Sequence, residues 1–289
     1  DFNKFSILAS ELIDRKIDFS KDEISVILKN KVTLITGGGG SLGSSLVKNV
    51  LQSNPKKIII IDNNEYNLFK IKEELRKLNI FYNNNNTSLD YKLISINDYS
   101  GLENIFIENK PDLIFHAGAY KHVNLLENNI YSAYKNNISG SFNLIKLSRE
   151  FNCERFIFIS TDKAVNPTSI MGKTKRIIEN YITFIQSQNL DQYFSIVRFG
   201  NVINSNGSVI PIFEKQIIDR QPITLTHPDV TRFFMSIDEA INLVLETLRY
   251  KKNVIYVLNM GKPIKILDIA KKLVSIYGLK IKDSDNPNG

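Results

Sequence analysis

Short apolar runs, separated by longer stretches of helical periodicity, organise this chain as far as residue 200. Runs rich in Ile, Leu, Val and Phe predict strands near 31–36, 57–62, 91–96, 112–116, 155–160 and 193–199. Amphipathic spacing predicts helices between them, near 41–53, 64–79, 99–109, 130–151 and 168–189. Strands alternating with helices imply a parallel sheet covered on both faces, which takes ligands at the carboxyl ends of its strands. Ahead of the first strand, 3–14 and 20–29 read as a helical or irregular arm. After residue 200 the rhythm changes: GNVINSNGSVIPIFEKQI opens on turn residues, and PITLTHPDVTRFFM mixes short strand signals with prolines. Helices near 209–219, 236–249 and 266–276 are predicted to complete the fold. The expected organisation is an arm over 1–30, a sheet domain over 31–200 to which 233–260 returns, and a small lobe from 201–232 and 261–289.

The first strand runs straight into TGGGGSLGSSL, where Gly37, Gly40 and Gly43 recur at every third position and a helix opens near Ser41 and Leu42. Such glycines let a backbone turn tightly against a pyrophosphate, whose charge then sits at the helix N-terminus. The second strand, KKIIIID, ends on Asp62, where an acid bonds the adenosine ribose and repels a 2′-phosphate. Strand, glycines, helix, strand and acid in that order predict a dinucleotide site with NAD favoured over NADP.

Charge and composition narrow the picture little. The net charge of +7 suits an anionic ligand, but the lysines are scattered and no nucleic-acid motif accompanies them. A single cysteine, Cys153, excludes an internal disulfide and suits a reducing compartment. Three histidines and one cysteine without ligand spacing predict no metal site. No apolar run reaches the ~20 residues that span a bilayer, and no signal peptide is visible.

The chemistry concentrates in RFIFISTDKAVNPTSIMGKTKR. An apolar strand ends at Ser160-Thr161-Asp162-Lys163, an acid beside a base, and Asn166-Pro167 reads as the cap and first residue of a helix. On that helix Met171 and Lys175 lie one turn apart and share a face. Taken alone, adjacent Asp and Lys are a plain ion pair and Met171 is core packing.

These motifs, with HAGAYKHV, NNISGSFN, RFGNVINSNGSVIP and THPDVTRFFM, cover residues 31–275 and resemble the extended short-chain dehydrogenase/reductases. Within that class the chain is most similar to the UDP-N-acetylglucosamine 4,6-dehydratases of bacterial glycan biosynthesis. The resemblance implies an α/β, Rossmann-like doubly wound parallel sheet with a small C-terminal substrate-binding lobe, NAD as cofactor and UDP-N-acetylglucosamine as substrate. It further implies Lys163 as base at C5, Asp162 as acid at C6, Thr161 on the sugar 4-hydroxyl and Lys175 on the nicotinamide ribose. Met171 stands where related enzymes keep a tyrosine, so the 4-hydroxyl proton must go to Thr161 or to a water held by Lys175. These roles require a neutral lysine and a protonated aspartate near neutral pH, and burial in a closed site could provide both.

Less specific positions follow from the same resemblance. Ala117, Gly118 and Ala119 are expected to pass the cofactor, Ser95 and Ile96 to meet its adenine, and Asn137 and Lys121 to lie beside the sugar. Asn201 and Arg232 are expected on the UDP diphosphate, with Ser208 and Val209 lining the nucleotide. A methionine at 171 is similar to the long, membrane-anchored members, which implies a cytoplasmic catalytic domain of a bacterial inner-membrane protein. Helices 130–151 and 168–189 form the dimer face of related folds, so a homo-oligomer is expected. Family members continue past DNPNG with an arginine that grips the diphosphate; ending at Gly289 lowers the expected affinity for a UDP-sugar. A UDP-sugar 4-epimerase, which needs no adjacent Asp-Lys pair, and a non-catalytic NAD-binding module are the alternatives.

Overall fold

In the computed structural model the described residues are 21–82, 87–188, 191–203, 205, 208–252 and 254–282. They group into two compact units: 21–199 together with Ile241–Leu258, and Gly200–Ala240 together with the stretch from Asn259 to 282. The stretch 3–14, expected to be helical or irregular, lies outside the described residues.

The first unit opens with helix α1 (Lys21–Leu28), followed by β1 (Val32–Thr36), α2 (Ser41–Leu51), β2 (Lys57–Asp62), α3 (Glu65–Tyr82), β3 (Ser88–Leu93), α4 (Tyr99–Asn109) and β4 (Leu113–His116). Then come α5 (Val123–Glu127), α6 (Ile130–Ala133), a π-helical turn (Tyr134–Ser139), α7 (Gly140–Glu150), β5 (Arg155–Ile159), a 3-10 turn (Asp162–Ala164), α8 (Ile170–Gln186) and β6 (Tyr193–Arg198). The second unit holds β7 (Asn201–Val202), α9 (Val209–Ile218), β8 (Thr231–Arg232) and β9 (Phe234–Met235). Helix α10 (Ile237–Glu246) leads back to a 3-10 turn (Thr247–Arg249) and β10 (Ile255–Val257), and the chain closes with β11 (Ile264–Lys265) and α11 (Ile266–Ile276).

Seven strands form one sheet in the order β10-β6-β5-β4-β1-β2-β3, and every neighbouring pair is parallel. The winding reverses between β1 and β4, and a crevice at such a switch point is where doubly wound sheets bind ligands. Because the strands are covered on both faces, they read as unbroken apolar runs: Leu34, Ile59, Ile114, Phe156 and Phe194 are buried with Phe106, Leu144, Ile178 and Ile182 of the helices. Cys153 is buried too, and desolvation pushes its thiol up to about 12, so it is a chemically quiet filler. The described part of the expected arm is not loose: α1 buries Ile24 and Leu28, and Glu23 pairs with Arg249 at 2.6 Å.

Four local expectations are corrected. The third strand is Ser88–Leu93, not 91–96; it pairs only with β2 and is partly exposed, so its polar start carried no apolar signal. The helix expected over 130–151 is broken by the π-helical turn and preceded by the short α5. The fifth crossover helix starts at Ile170, capped by Ser169, whose Oγ accepts from Gly172 N–H at 3.2 Å; Asn166 and Pro167 stand before it because the 3-10 turn takes up the intervening chain. The return to the sheet unit begins at Ile241 rather than 233, since β9 pairs with β7 in the second unit.

The second unit has its own core, in which Ile210, Phe213 and Ile217 of α9 pack with Ile269 and Leu273 of α11 and with Phe234. Among the described residues no helix is long and apolar enough to cross a membrane.

Candidate active site

The glycine turn after β1 sits at the switch point. Gly37 has φ +65°, the left-handed region open to glycine, and a Cβ there would lie 2.7 Å from Gly118 Cα in the loop after β4. A Cβ on Gly43 would overlap the Gly37 carbonyl oxygen, so α2 can approach the turn only without a side chain. Gly40 has a different part: extended, it is the N-cap residue of α2, no side chain caps that end, and the first turn of the helix, with Ser41, Leu42 and Gly43, holds no acid. The positive pole of α2 therefore meets no competing carboxylate in its first turn and favours a phosphate group. Buried Asp62 ends β2, where Oδ2 accepts from Gly39 N–H and Oδ1 from Asn64 N–H, both at 2.9 Å. Each oxygen keeps a lone pair for a further donor such as a ribose hydroxyl. Ser95 and Ile96 follow the end of β3 instead of lying within it; Ile96 is buried and Ser95 Oγ accepts from Asn97 N–H at 3.2 Å.

A buried hydrogen-bond chain ties this turn to the helices beyond. His116 ends β4 wholly inside the protein, and desolvation, with the Lys175 charge adding to it, pushes its imidazole down to about 3, so it is neutral. Ser141 Oγ gives its proton to Asn137 O at 2.7 Å, so His116 Nε2–H must donate to Ser141 Oγ at 2.8 Å. Nδ1 is then the acceptor for the Thr36 hydroxyl at 2.7 Å, and Thr36 Oγ accepts from Gly118 N–H at 3.2 Å. Asn137, inside the π-helical turn, holds the loop from the other side: its Oδ1 accepts from Tyr120 N–H at 2.8 Å, and its Nδ2 donates to Tyr120 O at 2.9 Å and to Thr174 Oγ at 3.1 Å. π-turns are frequent at functional sites because they re-aim such a side chain. Ala117 and Ala119 flank Gly118 in the clamped loop, Ala117 N–H donating to Thr36 O, and exposed Lys121 follows Tyr120.

The acid–base turn lies at the carboxyl end of β5. Thr161 caps it, Asp162 N–H donates to Phe199 O, and Lys163 Nζ donates to Asp162 Oδ1 at 3.0 Å. Thr161 Oγ donates to the same Oδ1 at 2.8 Å and accepts from Lys163 N–H at 3.4 Å. The burial expected to neutralise both groups is not supplied by the chain itself: the Lys163 and Asp162 side chains are 29% and 24% exposed and pair with each other. Lys175 is buried, donates to Ile159 O at 2.8 Å and stands 4.5 Å over the Phe158 ring; desolvation, partly opposed by Glu179, lowers its ammonium to about 8. Met171 is not among these polar groups. It is 5% exposed and packs with Leu126 and Ala133, holding α8 against α5 and α6.

Three supports, two of the acid–base turn and one of the glycine turn, carried no clear sequence signal. Glu179, one turn after Lys175 on α8, is buried; it accepts from Ser160 Oγ at 2.7 Å and from Arg198 Nε and Nη2 at 2.7 and 2.6 Å. It thereby ties the ends of β5 and β6 to α8. Gly172 faces the 3-10 turn, where a Cβ would lie 2.5 Å from Lys163 O. His116 is the third, and only its place at a strand end could have been read from sequence.

The remaining expected residues belong to the second unit. Asn201 opens β7, its N–H donating to Phe233 O at 2.9 Å. Ser208 is the N-cap residue of α9, and its buried Oγ has no partner among the described residues; Val209 follows it and packs on the core of that unit. Exposed Arg232 in β8 donates to Thr231 O at 2.8 Å. Among the described residues no group of His, Cys, Asp and Glu could hold a metal ion.

A seven-stranded parallel sheet in this order, with a glycine turn at its switch point, is a Rossmann-like doubly wound architecture. Solved structures with that fold match it: Pen from Bacillus thuringiensis has a TM-score of 0.80 and 34% identity over 88% of this chain and 76% of that one. A UDP-glucose 4-epimerase from Thermotoga maritima has a TM-score of 0.74 and 22% identity over 86% and 84%. DesIV, a dTDP-glucose 4,6-dehydratase from Streptomyces venezuelae with NAD bound, has 0.73 and 18% over 86% and 81%.

Residues 33–288 match the model of the polysaccharide biosynthesis protein family, and the chain belongs to that family. The capsular polysaccharide biosynthesis protein CapD of Staphylococcus aureus is 42% identical over 90% of this chain and 43% of its own length. The probable polysaccharide biosynthesis protein EpsC of Bacillus subtilis is 38% identical over 94% and 45%. The chain thus spans less than half of these two relatives.

Proposed function

We propose that this chain is the catalytic domain of an NAD-dependent 4,6-dehydratase acting on UDP-N-acetylglucosamine. The product would be a UDP-2-acetamido-2,6-dideoxy-4-hexulose, used in bacterial glycan synthesis. The observation that carries the reading is the turn Thr161-Asp162-Lys163 at the end of β5, an acid and an amine 3.0 Å apart beside buried Lys175. NAD is supported by the chain's own cradle: Gly37 against Gly118 with no room for a Cβ, the acid-free first turn of α2, and Asp62 fixed at the end of β2. NAD supplies, when bound, the oxidation of C4 and the later reduction at C6.

The protein's part is binding and proton movement. Asp62 receives the adenosine ribose hydroxyls, and Lys175 donates to the nicotinamide ribose while its charge favours ionisation of hydroxyls nearby. Once C4 is a ketone the C5 proton is acidic, and Lys163 as the free amine removes it. Asp162 as the carboxylic acid protonates the C6 hydroxyl, which leaves as water. Lys163 then returns its proton to C5. The diphosphate of the sugar nucleotide needs donors and positive charge, for which Asn201 and Arg232 are the candidates, with Ser208 and Val209 along the nucleotide. Exposed Ile130, Tyr131 and Phe184 on α6 and α8 support pairing of two copies of the chain. A relative from Methanocaldococcus jannaschii, 41% identical over 90% of this chain, is described as a membrane protein, which supports a membrane-anchored parent.

A 4-epimerase is the second reading, favoured by UDP-glucose 4-epimerases such as that of Rickettsia bellii at 31% identity over 88% of this chain. Incubation with UDP-N-acetylglucosamine in D₂O, followed by NMR, separates the two. The dehydratase gives a 6-methyl sugar with deuterium at C5. An unlabelled epimeric hexose, or no change, would refute it.

A further inference from the structure

We propose that the amino end of the parallel sheet, opposite the acid–base turn, is a face that rests on an anionic lipid bilayer. The inference adds to the membrane-anchored parent proposed above, but it stands on charges that this chain carries itself.

Because the strands are parallel, every segment that leads from a helix into a strand lies at one end of the sheet. The strands also start level. Lys57 N–H donates to Lys31 O, Asp112 N–H to Val32 O, Arg155 N–H to Asp112 O and Tyr193 N–H to Glu154 O, while Ser195 Oγ donates to Lys252 O at 3.2 Å. Exposed Lys29, Lys56, Lys110, Lys251 and Lys252 stand on these entries, ahead of β1, β2, β4 and β10. Among the described residues none of the five is held in an ion pair. Acids of the same end are engaged elsewhere. Lys31 takes Glu154 at 2.8 Å and lies 4.0 Å from Asp112 Oδ1, and Asp112 Oδ2 accepts from Val32 N–H. Exposed Glu108 and Asp191 oppose the lysines, too few to cancel five cations. Apolar side chains accompany the amines: Val26 three residues before Lys29, Ile107 three before Lys110, and Tyr250 next to Lys251 are all exposed.

This arrangement fits an extended lipid surface rather than a compact anion. Strands lie ~4.8 Å apart, so the entries from β10 across to β2 span ~24 Å. Neighbouring entries stand closer than the ~8 Å Debye length, and the potentials of their lysines add. Amines interleaved with a tyrosine and aliphatic tips match phosphate headgroups with acyl chains beneath them. Seated so, the carboxyl ends of the strands, with the glycine turn and the acid–base turn, open away from the bilayer into water, where a sugar nucleotide is dissolved.

The test is co-sedimentation of the whole chain with vesicles of phosphatidylcholine alone, or of phosphatidylcholine and phosphatidylglycerol in equal parts. Binding is expected on the anionic vesicles only and should fade as salt rises. Each lysine at such a surface is worth about fivefold in partitioning, so Lys251→Gln with Lys252→Gln should weaken binding ~20–30-fold. Lys70→Gln with Lys173→Gln removes the same charge from exposed positions in the first two turns of α3 and α8, towards the other end of the sheet. That pair should change binding less than ~3-fold. Thermal melts report folding; should the Lys251 and Lys252 variant melt early, Lys56→Gln with Lys110→Gln replaces it and carries the same expectation. Equal binding to neutral vesicles, equal losses in the two pairs, or no binding to anionic vesicles overturns the proposal. So does tighter binding to a short DNA duplex at the same salt, which would give the face to nucleic acid. Fractionation of the full-length parent tests the anchor by itself, and formation of a 6-methyl sugar tests the reaction, so neither failure is mistaken for this one.

Discussion

Gly172→Ala is the sharpest test of how the acid–base turn is held. The substitution adds one methyl group on α8, and that methyl would stand 2.5 Å from the Lys163 carbonyl oxygen and 3.3 Å from Pro167 Cβ. Ordinary contact begins near 3.4 Å, so helix and turn must separate by ~0.9 Å. The obstacle is backbone, which cannot swing aside as the end of a side chain can. Overpacking of this kind costs ~1–3 kcal/mol, while alanine recovers up to ~1 kcal/mol of helix propensity over glycine. The net loss of stability is therefore ~0–2 kcal/mol, and a folded variant is expected. Catalysis should suffer more, because the displaced carbonyl belongs to Lys163 and the same turn carries Asp162. A misplacement near 1 Å costs ~10²-fold in rate. Formation of the 6-methyl product by NMR, with thermal melts alongside, should show kcat down by about that factor, KM within ~3-fold of wild type, and a midpoint within a few degrees. A variant with wild-type kcat would refute the view that the close approach of α8 sets the turn.

Three further outcomes are expected. Gly37→Ala, at φ +65° and facing Gly118, should weaken NAD binding at least ~10-fold by calorimetry; unchanged affinity would place the dinucleotide elsewhere. His116→Leu should cost ~2–4 kcal/mol in urea melts, since it leaves the buried Thr36 hydroxyl without its acceptor and Ser141 Oγ without its donor, and a change under ~0.5 kcal/mol would refute the chain of bonds. Lys175 has a folded pKa of about 8, below its ordinary 10.5. The unfolded chain therefore binds the extra proton between those values, and this residue adds stability as pH rises from about 8 to about 10.5. Lys175→Met should remove that gain, so the wild-type minus variant difference in stability should climb over this window; a flat difference would show that Lys175 is not desolvated.

Most of the sheet was legible because strands buried on both faces must be apolar along their whole length, as in VTLIT, KIIIID and RFIFI. The edge strand β3 escaped for the converse reason: with one neighbour and partial exposure, Ser88 and Asp90 sit in it at little cost. The glycine turn was legible because backbone contact leaves no other residue to choose. The break in the helix at Tyr134–Ser139 was not, since a π-turn adds a residue without changing the local composition, and its cause, Asn137 clamping Tyr120, is tertiary. Likewise no spacing rule reveals that Glu179 is buried under Arg198 and Ser160, or that Met171 points into a small apolar cluster. What sequence supplied at the acid–base turn was the order of residues; their hydrogen-bond directions came only with coordinates.

The path of the chain between the two units has a consequence for how such a protein can be made and re-engineered. It leaves the sheet unit after Phe199, re-enters at Ile241 and departs again after Leu258, and the visiting segment contributes the sheet's outermost strand, β10. During synthesis the ribosome must therefore deliver some forty residues of the other unit before that border strand exists. A gene fragment stopped at Phe199 would leave β6 as an open, hydrogen-bond-hungry margin, prone to self-association. Exchanging the smaller unit between relatives accordingly demands that both of its segments be replaced together, across three junctions.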